Sequence, residues 1–366
     1  MSKFYSGLQL RAATATINTH ALRDNLAQVR RFAPRSKVLA VVKANAYGHG
    51  LLPVAQHLDE VDAFGVARIE EALTLRAGGV VRPILLLEGF YSLADLSIAV
   101  TNNIHTVVHT IEQLQALEQA SLDQAAQVWL KIDTGMNRLG VRPEQVDEFV
   151  RRLEACPNVV KPLRYISHFC CADELDNPFS VKQMQRFNAI TQHIDGERSL
   201  AASAGICCWP DSHYQWVRPG IMLYGVSPLE TQSAASLGLS PVMTLSASLI
   251  AINDVKQGET VGYGGAWRAE RDTRVGVVAI GYGDGYPRMA PNGTPVLVNG
   301  RRVNIVGRVS MDMLTVDLGP DATDAVGDTA VLWGDGLPAE EVAAHIGTIA
   351  YELVTKLTAR VITQYV

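Results

Sequence analysis

The stretch SKVLAVVKANAYGHG, Ser36 to Gly50, places five apolar residues directly before Lys43. The run Val38–Val42 is typical of a buried strand, and the glycine-containing loop after it carries Tyr47. A lysine at the end of a core strand can extend its amine to water. It can also be held at the mouth of a cavity, where desolvation lowers the lysine pKa and makes the amine a base or a nucleophile. The rest of the sequence decides between these two interpretations.

Composition indicates a globular protein with a large core. The chain has 366 residues, 48% hydrophobic and 19% charged, which leaves room for two domains. A net charge of −5 gives no electrostatic footprint for nucleic acid. The first thirty residues lack the apolar core of a signal peptide, and no apolar run approaches the ~20 residues that span a bilayer. Five cysteines without metal-ligand or disulfide spacing are typical of reduced thiols, so we expect a cytoplasmic protein.

Eight short apolar runs, separated by amphipathic helical patterns, predict eight strands in the first two-thirds of the chain. Apolar runs without polar alternation are typical of parallel strands covered on both faces. Eight strand–helix units over roughly 220 residues favour a (β/α)8 barrel, whose usual size is ~250 residues. The alternative, an open doubly wound sheet, is disfavoured because no G-x-G-x-x-G turn follows the first run. The predicted strands are 37–42, 63–67, 83–89, 104–109, 127–133, 163–169, 198–203 and 216–225.

The sequence pattern changes near Pro241: from there on, strand patterns are separated by turn residues instead of by helical patterns. Asn299-Gly300 between two valine-rich runs predicts a type I′ hairpin. We therefore predict an α/β protein with an N-terminal TIM barrel over residues 1–240 and a mostly antiparallel β-domain over 241–366. The second domain is expected to end in a helix near AEEVAAHIG, and the first strand of the chain is assignable to either domain. Asn18 is the expected N-cap of the helix before the strand that leads to Lys43.

Polar residues fall at the carboxyl ends of five predicted barrel strands, where barrel enzymes hold their chemistry. Each has an ordinary structural explanation as well: His168 as a hydrogen-bonded core histidine, Ser203 as a helix cap, Arg138 as a surface ion-pair partner. Polar residues at the ends of five strands of one barrel favour an enzyme, but they do not identify its reaction. The residues are Lys43, Lys131 with Arg138 after it, His168, Ser203 and Arg218.

Several motifs, in order along the whole chain, resemble those of biosynthetic alanine racemases. AVVKANAYGHG resembles the cofactor-lysine signature of that family, and WVRPGIMLYG, VGYGGAW, GRVSMDM and AYELVTKLTAR resemble other family motifs. The resemblance implies a pyridoxal-phosphate enzyme that interconverts L-alanine and D-alanine. The reaction would supply D-alanine for peptidoglycan or serve alanine breakdown. It also implies a homodimer whose active site is shared across the interface.

The family pattern assigns a role to individual positions. Lys43, covalently joined to the cofactor, and Tyr263, from the other subunit, would be the two catalytic acid–base groups. Arg138 would contact the cofactor or the substrate carboxylate, and Lys131 aligns with a lysine that is often carbamylated. The cofactor-binding set would further contain Tyr47, His168, Ser203, Arg218, Gly220, Ile221 and Tyr351. Met311 and Tyr282 would line the entrance from the partner's side, with Asp312 in the same motif.

Racemisation explains these residue types, because the α-proton must leave one face of the substrate and return on the other. Lysine and tyrosine have ordinary pKa values near about 10.4 and 10, so nearby positive charge must tune both for work near neutral pH. An arginine facing the pyridine nitrogen does not give up its proton readily. Arg218 would therefore keep that nitrogen unprotonated and limit side reactions such as transamination.

Some features depart from the family pattern or favour a rival. Ala202 stands where many members have asparagine, which removes one polar group near the phosphate. The nearest rival is a pyridoxal-phosphate decarboxylase, in which an acidic residue faces the ring and a late cysteine assists; here Arg218 occupies the first position and no cysteine follows Cys208. A non-catalytic cofactor carrier would not need Tyr263. Cysteines 170, 171, 207 and 208 are expected to be small buried hydrophobes. GYGDGYP does not lie between a strand and a helix, as a nucleotide-binding loop would.

Overall fold

The computed structural model describes residues 10–366, which divide into two compact units. One unit is Leu22–Leu239. The other contains Ser240–Val366 and the described residues up to Ala21. The first strand, β1 (Thr14–Ile17), pairs with strands of the second unit, so the N-terminal segment belongs to that unit and not to the barrel.

Helix α1 (Thr19–Phe32) begins where its sequence predicts. The Asn18 side-chain oxygen accepts hydrogen bonds from the amides of His20 and Ala21, both at 3.0 Å. These bonds satisfy donors that have no partner within the first turn. The predicted N-cap is confirmed.

Eight parallel strands form a closed barrel in the first unit, which confirms the predicted fold class. Val38–Val42 are at most 6% exposed, and burying each such side chain contributes roughly 1.5–3 kcal/mol. The strands are β2 (Lys37–Val41), β3 (Ala63–Val66), β4 (Ile84–Leu86), β5 (Ile104–Val108), β6 (Val128–Lys131), β7 (Arg164–Ile166), β8 (Arg198–Ala202) and β9 (Trp216–Arg218). The helical segments after α1 are α2 (Lys43–Tyr47), α3 (Leu51–His57), α4 (Ile69–Ala77), α5 (Leu93–Thr101), α6 (Ile111–Gln119), α7 (Val146–Ala155), α8 (Phe179–Thr191) and α9 (Ser203–Cys208).

The eighth barrel strand is shorter than predicted. The pattern 216–225 predicts one strand, but β9 ends at Arg218 and Ile221–Tyr224 forms a 3-10 turn. Pro219 has no amide hydrogen to donate to a neighbouring strand, and Gly225 ends the turn in the left-handed region at φ 74°. The break places Gly220 and Ile221 in a loop instead of a strand.

Besides β1, the strands of the second unit are β10 (Met243–Val255), β11 (Thr260–Val261), β12 (Trp267–Arg268), β13 (Thr273–Val278), β14 (Pro295–Val298), β15 (Arg301–Ile305), β16 (Leu314–Gly319), β17 (Thr329–Trp333) and β18 (Ile362–Tyr365). Eight of them form one sheet in the order β13-β16-β15-β14-β17-β10-β1-β18, in which β10 also pairs with β13. All pairings are antiparallel except β1 with β18, so the predicted β-domain is confirmed as mostly antiparallel.

The hairpin between β14 and β15 has the predicted form. Asn299 and Gly300 both have positive φ, 50° and 75°, as a type I′ turn requires, and Val298 pairs with Arg301. The predicted helix near AEEVAAHIG is α10 (Ala339–Ile346), but the unit does not end there, because α11 (Ala350–Thr355) and β18 follow. β18 forms by pairing with β1 at the other end of the chain, which a local pattern does not reveal.

Across residues 10–366 no helix combines the length and apolar character that a membrane span needs.

Candidate active site

Lys43 is half-buried, and an unusual turn follows it at the end of β2. Ala44, Asn45, Ala46 and Tyr47 all have φ between 52° and 55°, so the chain makes a full turn of left-handed helix. This backbone costs L-residues about 1–2 kcal/mol each and is found where the surroundings enforce it. The turn is closed by an amide hydrogen bond from Ala46 to the Val42 carbonyl at 2.8 Å.

Two residues that sequence reasoning missed brace this turn. His49 is fully buried, and its Nδ1 donates to the Tyr47 carbonyl at 2.8 Å. Burial lowers the pKa of His49 to about 4, so the ring is neutral at physiological pH. Glu71 accepts a hydrogen bond from the Ala44 amide at 2.7 Å. His49 stands inside the motif that carries the family resemblance, whereas nothing in the sequence marks Glu71.

Hydroxyl and amide groups converge near the ends of β8 and β9. The buried Ser203 Oγ accepts a hydrogen bond from the Gly220 amide at 2.9 Å, and Ile221 begins the 3-10 turn beside it. Tyr47 stacks on Tyr224 with ring centroids 4.8 Å apart, and burial raises the pKa of Tyr47 to about 12. A Cβ on Gly220 would lie 2.5 Å from Tyr47 Oη, so only glycine permits this approach. Four members of the predicted cofactor-binding set are thus neighbours in the barrel: Tyr47, Ser203, Gly220 and Ile221.

Arg218 is a buried cation held entirely by neutral partners. Its guanidinium donates to Ser199 Oγ at 2.6 Å, to the Ser167 carbonyl at 2.7 Å and to the Leu200 carbonyl at 3.2 Å. No carboxylate within the described residues forms an ion pair with it. Burial lowers the pKa of Arg218 to about 9, so the group stays charged at neutral pH.

His168 lies against Arg218 and is neutral. Arg218 Nη2 donates to His168 Nδ1 at 3.2 Å, which leaves the ring proton on Nε2. Burial and then the charges of Arg218, Arg138, Lys131 and Lys43 hold the pKa of His168 well below its ordinary value. Lys131 and Arg218 end β6 and β9, and Lys43 and His168 follow β2 and β7, so these residues share the carboxyl end of the barrel.

Lys131 is the last residue of β6, and its pKa is lowered by neighbouring cations. Burial first, then Arg218, Arg138 and Lys43, lower its pKa to about 8. Its amine donates to the Leu87 carbonyl at 3.4 Å. Four cationic side chains therefore gather at the carboxyl end of the barrel with the neutral His168, and this end has an excess of positive charge.

The sequence-predicted residues of the β unit lie on its surface. Tyr263 is 70% exposed, in a turn whose glycines 262, 264 and 265 all have positive φ. Tyr282 is 38% and Met311 54% exposed. Tyr351 is 36% exposed on α11.

Sequence reasoning missed one further residue of this unit, Arg360. Arg360 donates to Asp312 Oδ1 at 2.8 Å and forms an ion pair with Asp284, whose Oδ1 lies 3.2 Å from Arg360 Nε. It stands within the last motif of the family resemblance, AYELVTKLTAR, but its partners are distant in sequence.

Of the four cysteines expected to be buried, only Cys171 is buried. Cys207 and Cys208 are half-buried, and Cys170 is exposed, so the expectation is wrong for Cys170. Burial raises the pKa of Cys207 to about 12, which keeps that thiol protonated at neutral pH.

Two family models match nearly the whole chain. The alanine racemase N-terminal domain matches residues 17–228, and the alanine racemase C-terminal domain matches residues 242–365. The alanine racemase of Photobacterium profundum is 69% identical over 97% of this chain and 100% of its own length. That of Vibrio cholerae is 67% identical over 97% of this chain and 99% of its own length.

Solved structures agree with the sequence matches. The biosynthetic alanine racemase of Pseudomonas aeruginosa superposes with a TM-score of 0.94 at 47% identity, over 98% of this chain and 100% of that one. The alanine racemase of Acinetobacter baumannii superposes with a TM-score of 0.93 at 38% identity, over 98% of this chain and 100% of that one.

Proposed function

This chain belongs to the alanine racemase family, and we propose that it interconverts L-alanine and D-alanine with pyridoxal phosphate, using Lys43 and Tyr263 as opposed acid–base groups. The observation that carries this proposal is the placement of Lys43, Lys131, His168 and Arg218 together at the carboxyl end of the barrel, where Arg218 donates to the neutral His168. The buried Arg218 forms no ion pair with a carboxylate of the described residues, and an unpaired buried cation suits an anionic ligand.

The barrel residues fit a phosphorylated aromatic cofactor. Ser203 Oγ, the Gly220 amide and Tyr47 would hold the phosphate, because these hydroxyl and amide groups converge on a glycine with no room for a side chain. The family resemblance adds the Ile221 amide and Tyr351 to this set. Arg218 would face the ring nitrogen, with His168 beside it. When bound, pyridoxal phosphate supplies an electron sink for the pair of electrons left when the α-proton departs.

Arg218 would set the protonation state of the ring nitrogen of the bound cofactor. Its guanidinium is already a full donor to four neutral groups and has no acceptor atom. It would therefore donate towards the ring nitrogen of the cofactor and keep that nitrogen unprotonated. An unprotonated ring would be a weaker electron sink, which would favour return of the proton to the substrate over transamination.

Two residues move the α-proton. Lys43 Nζ takes or gives it on one face of the substrate, and Tyr263 Oη does so on the other. Arg138 orients the substrate by binding its carboxylate, because a guanidinium matches that anion with two parallel hydrogen bonds. Arg138 is exposed and makes no hydrogen bond or ion pair to the other described residues, so its donors are available.

Lys131 is proposed to carry a carbamate, formed when its neutral amine adds carbon dioxide and releases a proton. A pKa of about 8 makes a substantial fraction of the amine neutral near physiological pH. The reaction would replace a cation with an anion near Arg138 and Arg218, which would remove the repulsion that both arginines exert on Lys131 and could hold the Arg138 guanidinium in place.

The active unit is proposed to be a homodimer in which the partner subunit's Tyr263, Tyr282 and Met311 complete the site. Tyr263 at 70% exposure and Met289 at 75% leave large apolar groups on the surface of the β unit. A homodimer interface would cover such side chains. Five unpaired cysteines support a cytoplasmic location, where the product serves peptidoglycan synthesis or the reverse reaction serves alanine breakdown.

The test is a product assay with purified protein, pyridoxal phosphate and L-alanine in heavy water. Chiral separation and mass spectrometry are expected to find D-alanine with deuterium at the α-carbon. Ethylamine as the product would make the protein a decarboxylase. Unchanged L-alanine, with serine, lysine and arginine also unchanged, would leave only a cofactor carrier.

A further inference from the structure

Arg360 joins two carboxylates that come from separate loops of the β unit. Its Nε lies 3.2 Å from Asp284 Oδ1, and its Nη2 lies 2.8 Å from Asp312 Oδ1. The Asp284 side chain is 8% exposed and the Asp312 side chain 53% exposed. One guanidinium therefore neutralises a buried carboxylate and a surface carboxylate at the same time.

The loops that Arg360 joins are already in backbone contact. The Tyr282 amide donates to the Ser310 carbonyl at 3.0 Å, and the Gly283 amide donates to the Met311 carbonyl at 2.8 Å. Asp284 Oδ2 accepts from the Gly281 amide at 2.9 Å and so closes the turn that holds Tyr282. The positions of Tyr282 and Met311 are thus coupled through two hydrogen bonds.

The segment that carries Arg360 is fixed to the same turn. Thr358 donates to the Gly283 carbonyl through Oγ1 at 2.9 Å and to the Asp284 carbonyl through its amide at 3.1 Å. A Cβ on Gly283 would lie 2.4 Å from Arg360 Nη1, so the guanidinium packs directly on the turn backbone. Arg360 is therefore positioned by backbone contacts as well as by charge.

We propose that Arg360 is a positioning residue that fixes Tyr282 and Met311 and so sets the size of the amino-acid side chain that the enzyme accepts. This inference rests on the proposed function, in which those two residues line the entrance to the partner's site. Without the guanidinium, Asp284 and Asp312 have no shared counter-charge, and only the two backbone hydrogen bonds still join their loops. Lysine cannot replace it, because one ammonium lacks the planar fork that reaches two carboxylates.

The experiment compares Arg360→Met and Arg360→Lys with Arg302→Met as the matched control. Arg302 pairs with Glu341 on the same unit and is not part of the loops at 281–285 and 310–313. Steady-state kinetics with alanine and with serine would be measured on the holoenzymes, and hydrogen exchange on the Tyr282 and Gly283 amides. A hydrophobic pocket separates side chains of similar size by about 10-fold to 200-fold, so a loosened entrance is expected to move the serine-to-alanine ratio of kcat/KM by at least about tenfold.

The expected result is a change mainly in KM, with faster exchange at Tyr282 and Gly283 in both Arg360 variants and neither effect in Arg302→Met. An unchanged substrate ratio and unchanged exchange would overturn the proposal. So would a lower melting temperature with no change in the ratio, since that is a purely structural effect. If Arg360→Met does not fold, Asp312→Asn removes only the exposed contact and is expected to give a smaller shift in the same direction; no shift in it would also overturn the proposal. Failure of the wild type to racemise alanine would refute the proposed function, whereas the exchange data test the loop contacts separately.

Discussion

Arg218 Nη2 lies 3.2 Å from His168 Nδ1, and this contact defines the electrostatics of the barrel end. A buried, charged guanidinium donates to a neutral imidazole while three neutral oxygens accept its remaining hydrogen bonds. The pair presents positive charge to a ligand without presenting an acidic proton from the histidine.

Arg218→Lys is expected to lower stability as well as activity. An ammonium has three donors and no fork, so at least one of the buried acceptors, Ser199 Oγ or the Ser167 and Leu200 carbonyls, loses its partner. Each such loss costs about 1–3 kcal/mol. Urea unfolding of wild type, Arg218→Lys and the exposed control Arg302→Lys measures this directly. Equal stability of the two variants would show that the hydrogen bonds of Arg218 contribute nothing.

Gly220→Ala is expected to weaken cofactor binding by at least about tenfold, because the new methyl group would press on Tyr47 Oη at 2.5 Å. Titration with pyridoxal phosphate, followed by quenching of protein fluorescence, gives the dissociation constant. The double variant Gly220→Ala with Tyr47→Phe removes the hydroxyl that clashes. Its loss of binding free energy should therefore be smaller than the sum of the losses in the two single variants. Simple additivity would mean that the methyl group acts elsewhere.

Lys131 is expected to form a carbamate in a pH-dependent way. Only the neutral amine reacts, so the modified fraction should increase as pH rises through about 8, the lowered pKa of Lys131, and fall below it. Carbon-13 NMR in labelled bicarbonate would detect the carbamate, and Lys131→Met is the control. A carbamate signal that persists in Lys131→Met would assign the modification to another amine.

His49 is expected to make the protein sensitive to acid. Burial lowers its pKa in the folded state to about 4, whereas an unfolded histidine titrates near about 6.5. Between these values the unfolded state binds the additional proton, so the free energy of unfolding falls as pH decreases. The slope is at most about 1.4 kcal/mol per pH unit for one histidine.

His49→Asn is the matched variant for this prediction, because its side-chain amide can still donate to the Tyr47 carbonyl but cannot titrate. Urea unfolding at several pH values between 6 and 4 should give a shallower slope for the variant than for wild type. Identical slopes would assign the acid sensitivity to other groups, of which His105, with its pKa lowered to about 4 by burial, is the first to examine.

Sequence predicted the features that depend on neighbouring residues. The buried run before Lys43, the Asn18 cap and the Asn299-Gly300 turn each rest on a local pattern, and the structure has all three. Local patterns did not predict the left-handed turn after Lys43, because two alanines and a tyrosine disfavour positive φ and a single asparagine adopts it only as an isolated residue. That turn is enforced by Glu71, 27 residues away from Ala44. Arg360 was missed for the same reason, since Asp312 lies 48 residues from it.

The central claim is that Lys43 and Tyr263 serve opposite faces of the substrate. The most direct test measures α-proton exchange into heavy water separately for L-alanine and D-alanine with Tyr263→Phe, after absorbance has shown that the cofactor is bound. Tyr91→Phe, which changes another exposed tyrosine, is the control. General acid–base catalysis contributes about 10²–10⁴-fold, so one enantiomer should lose exchange by that factor while the other keeps it. Equal loss of exchange from both enantiomers would contradict the two-base account.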